Sequence, residues 1–458
     1  MQCRLNGLRA ENNRTFIYNT LKFNCSLILV IENFYDVFKV KILGQEILIA
    51  YFCKLIRKIL KDSDMKYDFD EIVDRRGTNA LKTDALLPRY GNADLIPLWV
   101  ADMDFKSPPA VTDAIIERAK HGIFGYTMAS QSYYDAIISW VGRRHNWQIK
   151  QEWIGFIPGI VKGIAFVIDC FTSSDDKIII QPPVYHPFRI IPTLHHREVV
   201  DNQLILQSGQ YQMDFDGLKK LIDPACKILI LCNPHNPGGR VWTRQELIDI
   251  AEICYENKIL VVSDEIHSDL AFAPHTHIPF ACVSEKAAMN SITFMAPSKT
   301  FNIAGIVSSY AIIPNSELRE RFHTYLTRYE LEEGHIFAYL AAEAAYNHGE
   351  EWLDEAKDYI WKNVTFVDEY MQTNIPQIKV MIPQASFLVW LDCRNLGLSQ
   401  EELVSLFVND AGLALNDGTI FGVGGEGYMR LNVGTPLANI SKALDNLKKA
   451  VDKKQIRS

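Results

Sequence analysis

Three polar runs stand at the ends of apolar stretches. Residues 227–231 lead into Cys232-Asn233-Pro234-His235-Asn236-Pro237-Gly238-Gly239, residues 259–262 into Ser263-Asp264-Glu265-Ile266-His267, and residues 291–295 into Ala296-Pro297-Ser298-Lys299. Each apolar stretch is short and nearly continuous, the pattern of a strand covered by helices on both faces. Open α/β sheets bind ligands in the crevice beyond the carboxyl ends of their strands. Three strands therefore bring an amide, a carboxylate and an amine to one crevice.

The amine of Lys299 can form an imine with an aldehyde. The carboxylate of Asp264 can keep a pyridine nitrogen protonated, and the amide of Asn236 can hydrogen-bond a ring oxygen. Together these are the requirements of pyridoxal 5'-phosphate. Taken singly, each residue has a plainer reading as a solvated lysine, a helix-capping aspartate or an Asn-Pro turn. The inference rests on the combination.

The elements that must position these groups follow from periodicity. Strands are expected at 175–180, 227–231, 258–262 and 291–295. A helix is expected at 243–257, where Leu247, Ile250, Ala251 and Cys254 recur at helical spacing behind a Thr243/Glu246 capping box. From residue 98 onward this alternation predicts an α/β domain with a mainly parallel sheet flanked by helices. Past Asn347, a long amphipathic helix, strands at 379–382 and 386–391 and a helix at 400–410 predict a smaller α+β domain. The expected division is an N-terminal segment contributing to the small domain (65–110), a large cofactor-binding domain (111–349) and a C-terminal small domain (350–458). Two domains also suit a length of 458 residues, more than one core usually supports.

Composition narrows the class. With 47 basic against 55 acidic residues and no basic stripe, small-molecule chemistry is favoured over nucleic-acid binding. Nine scattered cysteines without a CxxC pair point to reduced thiols and a cytoplasmic setting, not to disulfides or a metal site. Residues 1–64 read differently from the rest. Their apolar pieces are interrupted by Glu32, Asp36, Lys39, Lys41 and Glu46 before a membrane span accumulates, and no signal-peptide pattern is present. They are assigned as a non-native or disordered extension, with Met65 as the start.

The three strand-end motifs, in this order and at these separations, resemble those of the fold-type-I, aspartate-aminotransferase-like family of pyridoxal-phosphate enzymes. Within it they most resemble cystathionine β-lyases of the MalY/PatB type, over residues 65–451. The resemblance implies that Lys299 carries the cofactor and acts as general base, with Asp264 and Asn236 on the ring and Tyr185 stacked against it. It implies phosphate binding by Gly159, Ile160 and Val161 in the turn Gly155-Phe156-Ile157-Pro158-Gly159-Ile160-Val161, with Ser298 as a hydroxyl donor. Arg430, in Tyr428-Met429-Arg430-Leu431-Asn432-Val433-Gly434, would grip the α-carboxylate of a small amino-acid substrate, and Trp99 would fold over the pocket. Tyr126 would reach the active site of the neighbouring subunit as a catalytic and substrate-binding residue, implying a homodimer with shared active sites.

Two positions depart from the broader aminotransferase pattern. His267 stands where a tyrosine is common and is counted with the cofactor-binding residues, and Val307 stands where an arginine is frequent. Both departures fit the lyase group, whose reaction is α,β-elimination of cystathionine or a related cysteine S-conjugate to a thiol, pyruvate and ammonia. The alternatives are an aminotransferase using the same residues, and a regulatory protein that keeps the cofactor but acts through protein contacts. Gly422-Val423-Gly424-Gly425-Glu426-Gly427 satisfies GxGxxG but leads into an expected strand, so it is not a dinucleotide site. The His275/His277 pair lacks metal-ligand spacing and reads as loop.

Overall fold

The computed structural model describes residues 65–455, so the extension assigned to 1–64 lies outside the described residues. From Tyr67 onward the chain forms one unit. Its main sheet has seven strands: β1 (Ile154–Ile157), β2 (Lys177–Ile180), β3 (Glu198–Asp201), β4 (Cys226–Cys232), β5 (Leu260–Asp264), β6 (Ser291–Met295) and β7 (Ser309–Ile312). Their order is β1-β7-β6-β5-β4-β2-β3. All neighbours are parallel except at β7, which runs antiparallel to both β1 and β6.

The central strands are apolar on both faces because both faces are covered. Ile228 and Ile230 pack with Ile178, Ile180, Val262 and Phe294 on one side. Leu229 and Leu231 pack with Ile179, Trp242, Leu247 and Val261 on the other. Alternate residues of a strand point to opposite faces, so a continuous apolar run fills two cores at once. Removing one such side chain to alanine costs about 2–5 kcal/mol. The helix Arg244–Glu256 covers one face, and its N-terminus carries the expected capping box, with Thr243 accepting from the Glu246 N–H.

A second, four-stranded antiparallel sheet contains β8 (Lys379–Met381), β9 (Leu388–Asp392), β10 (Asn416–Asp417) and β11 (Tyr428–Asn432), in the order β8-β9-β11-β10. It follows the 25-residue helix Glu350–Asn374. The helix expected at 400–410 is α-helical only over Gln400–Ser405 and continues as a π-helical turn, Leu406–Asp410. The glycine run at 422–427 leads into β11, as its sequence requires.

Register brings the site together. Cys232 at the end of β4 pairs with Asp264 at the end of β5, and Asp264 pairs with Phe294 near the end of β6. The polar residues after these strands therefore emerge side by side at one sheet edge. Among the described residues, no helix is long and apolar enough to cross a membrane.

Candidate active site

A cavity of about 330 Å³ lies at this edge. Lys299, Asp264, Asn236, Tyr185, His267, Ser298, Gly159, Ile160 and Val161 all line it. It is headed by the helix Ile160–Phe171, whose N-cap is Gly159 at φ 108, a conformation that a side chain would strain. The first N–H groups of a helix have no partner within it, and the positive end of the dipole lies there, so this turn is suited to an anion.

Lys299 follows β6 on the short helix Pro297–Thr300 and donates its amine to the Ala101 carbonyl at 2.6 Å. Burial, with the charge of Arg430 assisting, lowers its ammonium to about 8, while Asp102 and Asp264 oppose the shift. About a tenth of the amine is then neutral and nucleophilic at pH 7, where an ordinary lysine would be almost wholly protonated. Asp264 is pushed up to about 7 by burial, against the Ile266 N–H that its carboxylate accepts at 3.1 Å. A carboxyl in this state calls for a cation beside it, which a protonated pyridine nitrogen supplies.

His267 is buried, and burial together with the charges of Lys299 and Arg430 lowers its imidazole to about 3. It is therefore neutral. The Tyr185 phenol is raised by burial, and its ring lies against His186 and Phe188.

Arg430 comes from β11, on the second sheet, and is buried without a carboxylate. It donates to Asn236 Oδ1 at 3.1 Å, to the Trp99 carbonyl at 3.1 Å and to Asn416 Oδ1 at 2.6 Å, all neutral acceptors. Its Nε has no partner. Burial lowers even this guanidinium, to about 10. A buried cation with a free donor is a place for an anion.

Residues 98–104 cross the site as a strap. Asn432 Nδ2 donates to the carbonyls of Val100 and Asp102, each at 2.6 Å. Asn302 Nδ2 donates to those of Met103 (3.0 Å) and Phe105 (2.7 Å), while its Oδ1 accepts the Met103 N–H at 2.9 Å. Arg75 pairs with Asp102 (2.6 Å) and Asp104 (2.8 Å), and buried Lys82 with Asp104 (2.8 Å). These bonds hold the Ala101 carbonyl against Lys299.

One expected site residue sits differently. The Trp99 indole is buried away from the cavity and donates to the Lys82 carbonyl at 3.0 Å, so Trp99 meets Arg430 through its backbone alone. Tyr126 is fully exposed in a stretch without helix or strand and does not line the cavity of its own chain. Other lining groups were not foreseen: the Ala101 backbone, Cys232, Lys162 and the neighbours Ser308 and Ser309. Ser308 Oγ is buried without a partner. Two hydroxyls in a row at the start of a short strand were the available signal. Val307 also lines the cavity at φ 56, strained for a β-branched residue. His277, expected in a loop, is buried there and pairs with Glu265 at 2.7 Å.

A mainly parallel sheet whose strand ends bring an amine, a carboxylate and an amide to a cavity headed by a helix N-terminus defines the aspartate-aminotransferase-like fold. The family described as aminotransferase class I and II matches residues 93–447, and the chain belongs to it. The chain is 44% identical over 385 residues to cystathionine beta-lyase PatB of Bacillus subtilis (strain 168), across 84% of this chain and 100% of that one. It is 32% identical over 388 residues to protein MalY of Escherichia coli (strain K12), across 84% and 99%. The solved structure of the PLP-bound C-S lyase from Staphylococcus hominis matches with a TM-score of 0.78 at 35% identity, across 85% of this chain and 99% of that one.

Proposed function

We propose that this chain is a pyridoxal-phosphate-dependent carbon–sulfur β-lyase that takes cystathionine or a related cysteine S-conjugate to a thiol, pyruvate and ammonia. The observation that carries the reading is the meeting of Lys299, lowered to about 8, with Asp264 in one cavity. The similarity to the Bacillus subtilis cystathionine beta-lyase and the Staphylococcus hominis C-S lyase supports the elimination over amino-group transfer.

The residues fit the cofactor. Lys299 would be its covalent anchor, Asp264 would hold a proton at its pyridine nitrogen, and Tyr185 would lie against its ring. Asn236 spends its carbonyl oxygen on Arg430, which leaves its NH₂ group to donate to the ring oxygen. The Gly159–Val161 turn, Ser298 and the unpartnered Ser308 hydroxyl would receive the phosphate. Neutral His267 packs beside the ring without adding charge. When bound, pyridoxal phosphate supplies the sink for the electrons of the broken Cα–H bond.

Arg430 binds the α-carboxylate through its free donor and so orients the substrate. The Lys299 amine, freed when the substrate amine takes its place, would take the α-proton as general base, a role suited to a group whose ammonium is lowered to about 8. The strap carbonyl of Ala101, which accepts from this amine, keeps it aimed into the cavity. Loss of the sulfur substituent as a thiolate and hydrolysis of the remaining enamine give pyruvate and ammonia.

Tyr126 belongs in this reading to the active site of a second copy, in a homodimer with shared sites. Its full exposure and the exposed Ile123, Phe124 and Met128 around it support that assignment. The deciding experiment incubates the purified protein with cystathionine and assays pyruvate without an added 2-oxo acid. Pyruvate and thiol in equal amounts are expected. Turnover only on adding a 2-oxo acid would overturn the lyase reading.

A further inference from the structure

Beyond the cavity lining, against the Trp99 ring, stands a second guanidinium that forms no ion pair among the described residues. Arg89 lies on the short helix Leu86–Tyr90 and is exposed. Its guanidinium rests 4.5 Å from the centre of the Trp99 ring and 5.8 Å from that of Tyr90. No carboxylate among the described residues forms an ion pair with it. Asp417, which acts on the Tyr90 hydroxyl, is already held by the Thr419 N–H at 2.8 Å and by Gln400 Nε2 at 2.6 Å.

A continuous rim connects Arg89 to Arg430. The Trp99 carbonyl accepts from Arg430, whose guanidinium lies 4.9 Å from the centre of the Phe421 ring. Phe421 in turn meets His186 edge-on at 6.3 Å. The His186 imidazole is lowered to about 4, first by burial and then by the charges of both Arg430 and Arg89, and its Nδ1 is buried without a partner. Arg89 and Arg430 thus both act on His186 and on Tyr90, and among the described residues neither forms an ion pair with a carboxylate. Arg430 accounts for one anionic group of a substrate, and Arg89 meets the neutral Tyr90 hydroxyl rather than a carboxylate.

We infer that Arg89 is a specificity-determining residue that binds a carboxylate carried on the sulfur substituent. The inference rests on the β-lyase reading above. A substrate held at Arg430 by its α-carboxylate, with a second carboxylate beyond its sulfur, spans the two guanidinium groups. Stacking on Trp99 restricts the rotamers of Arg89 and presents its planar fork for paired hydrogen bonds to the incoming carboxylate.

The test compares S-(2-carboxyethyl)cysteine with its uncharged amide, S-(2-carbamoylethyl)cysteine, by the pyruvate that the holoenzyme releases. The two differ in charge and little in size. Wild-type protein should prefer the acid in kcat/KM. Arg89→Gln should lower the acid-to-amide ratio about tenfold, mainly through KM, the size expected for one charge-assisted contact. Arg89→Lys should restore part of that ratio. Because the ratio is internal to each variant, partial misfolding does not alter it. A ratio in Arg89→Gln within about twofold of wild type would overturn the role of Arg89 and leave the lyase reading standing. Wild-type protein that releases pyruvate from neither compound would overturn both.

Discussion

Thr300 donates its hydroxyl to Asp269 Oδ2 at 2.8 Å, tying the residue after Lys299 to a buried carboxylate behind the cavity. That carboxylate also accepts from Trp140 Nε1 at 3.1 Å and from His145 Nε2 at 2.9 Å. Burial alone would raise it, yet these hydrogen bonds and the charge of Arg144 hold it below the ordinary value. Asp269→Ala strands three donors in the interior and should lower stability by roughly 3 kcal/mol, whereas Thr300→Val, which removes one bond, should lower it by about 1 kcal/mol. Urea unfolding of the two variants measures both. Equal, negligible losses would show that the clamp is not structural.

Lys299 sets the pH at which the protein captures its cofactor. Its ammonium is lowered to about 8, so the neutral amine population rises as pH passes 8 and not near 10.5. The rate of pyridoxal-phosphate uptake by the apo protein, followed by absorbance, should climb through that region and then level. A rate still climbing steeply above pH 9 would contradict this. Lys299→Ala should bind the cofactor without a covalent bond and lose about 10³-fold or more in elimination.

Asp264 should make the cofactor-free fold pH-sensitive in a defined direction. Its folded carboxyl is pushed up to about 7 from an ordinary 3.8, so the folded state holds an extra proton between those values and loses stability as pH rises through them. Asp264→Asn removes that loss. The apo variant should therefore be more stable than apo wild type at pH 8, by on the order of 3 kcal/mol, with the difference shrinking toward pH 4. Thermal denaturation across that range tests it. A variant less stable at pH 8 would refute the assignment.

Arg430→Lys keeps a charge but loses the fork that reaches Asn236, Asn416 and the Trp99 carbonyl together. KM should rise roughly 10- to 100-fold, corresponding to 1.5–3 kcal/mol for a charged hydrogen-bond pair, with a smaller change in kcat. Steady-state kinetics with cystathionine separate the two. A fall in kcat alone would mean that Arg430 does not bind the carboxylate.

Much of the site was legible in the chain because it is built from local signals. Apolar runs of strand length end in Asn236, Asp264 and Lys299, and a sheet edge gathers whatever follows its strands. The antiparallel β7 was not legible: at four residues, with Ser308 before it and polar Ser309 as its first residue, it gives too short a pattern to assign. The inward role of Ala101 left no trace either, since a backbone carbonyl carries no side-chain signature.

By itself, then, the sequence determined which residues stand at the strand ends and that a glycine turn precedes an apolar helix. Tertiary structure alone decided the pairings: Arg430 on Asn236 across 194 residues, Lys299 on the Ala101 carbonyl across 198, and Thr300 on Asp269 across 31. It also turned the Trp99 indole away from the cavity and Tyr126 outward. The reason is physical. Periodicity fixes which face a residue occupies within its own element, while the partner of a buried polar group depends on strand order and on how the two sheets meet, and neither is written in local spacing.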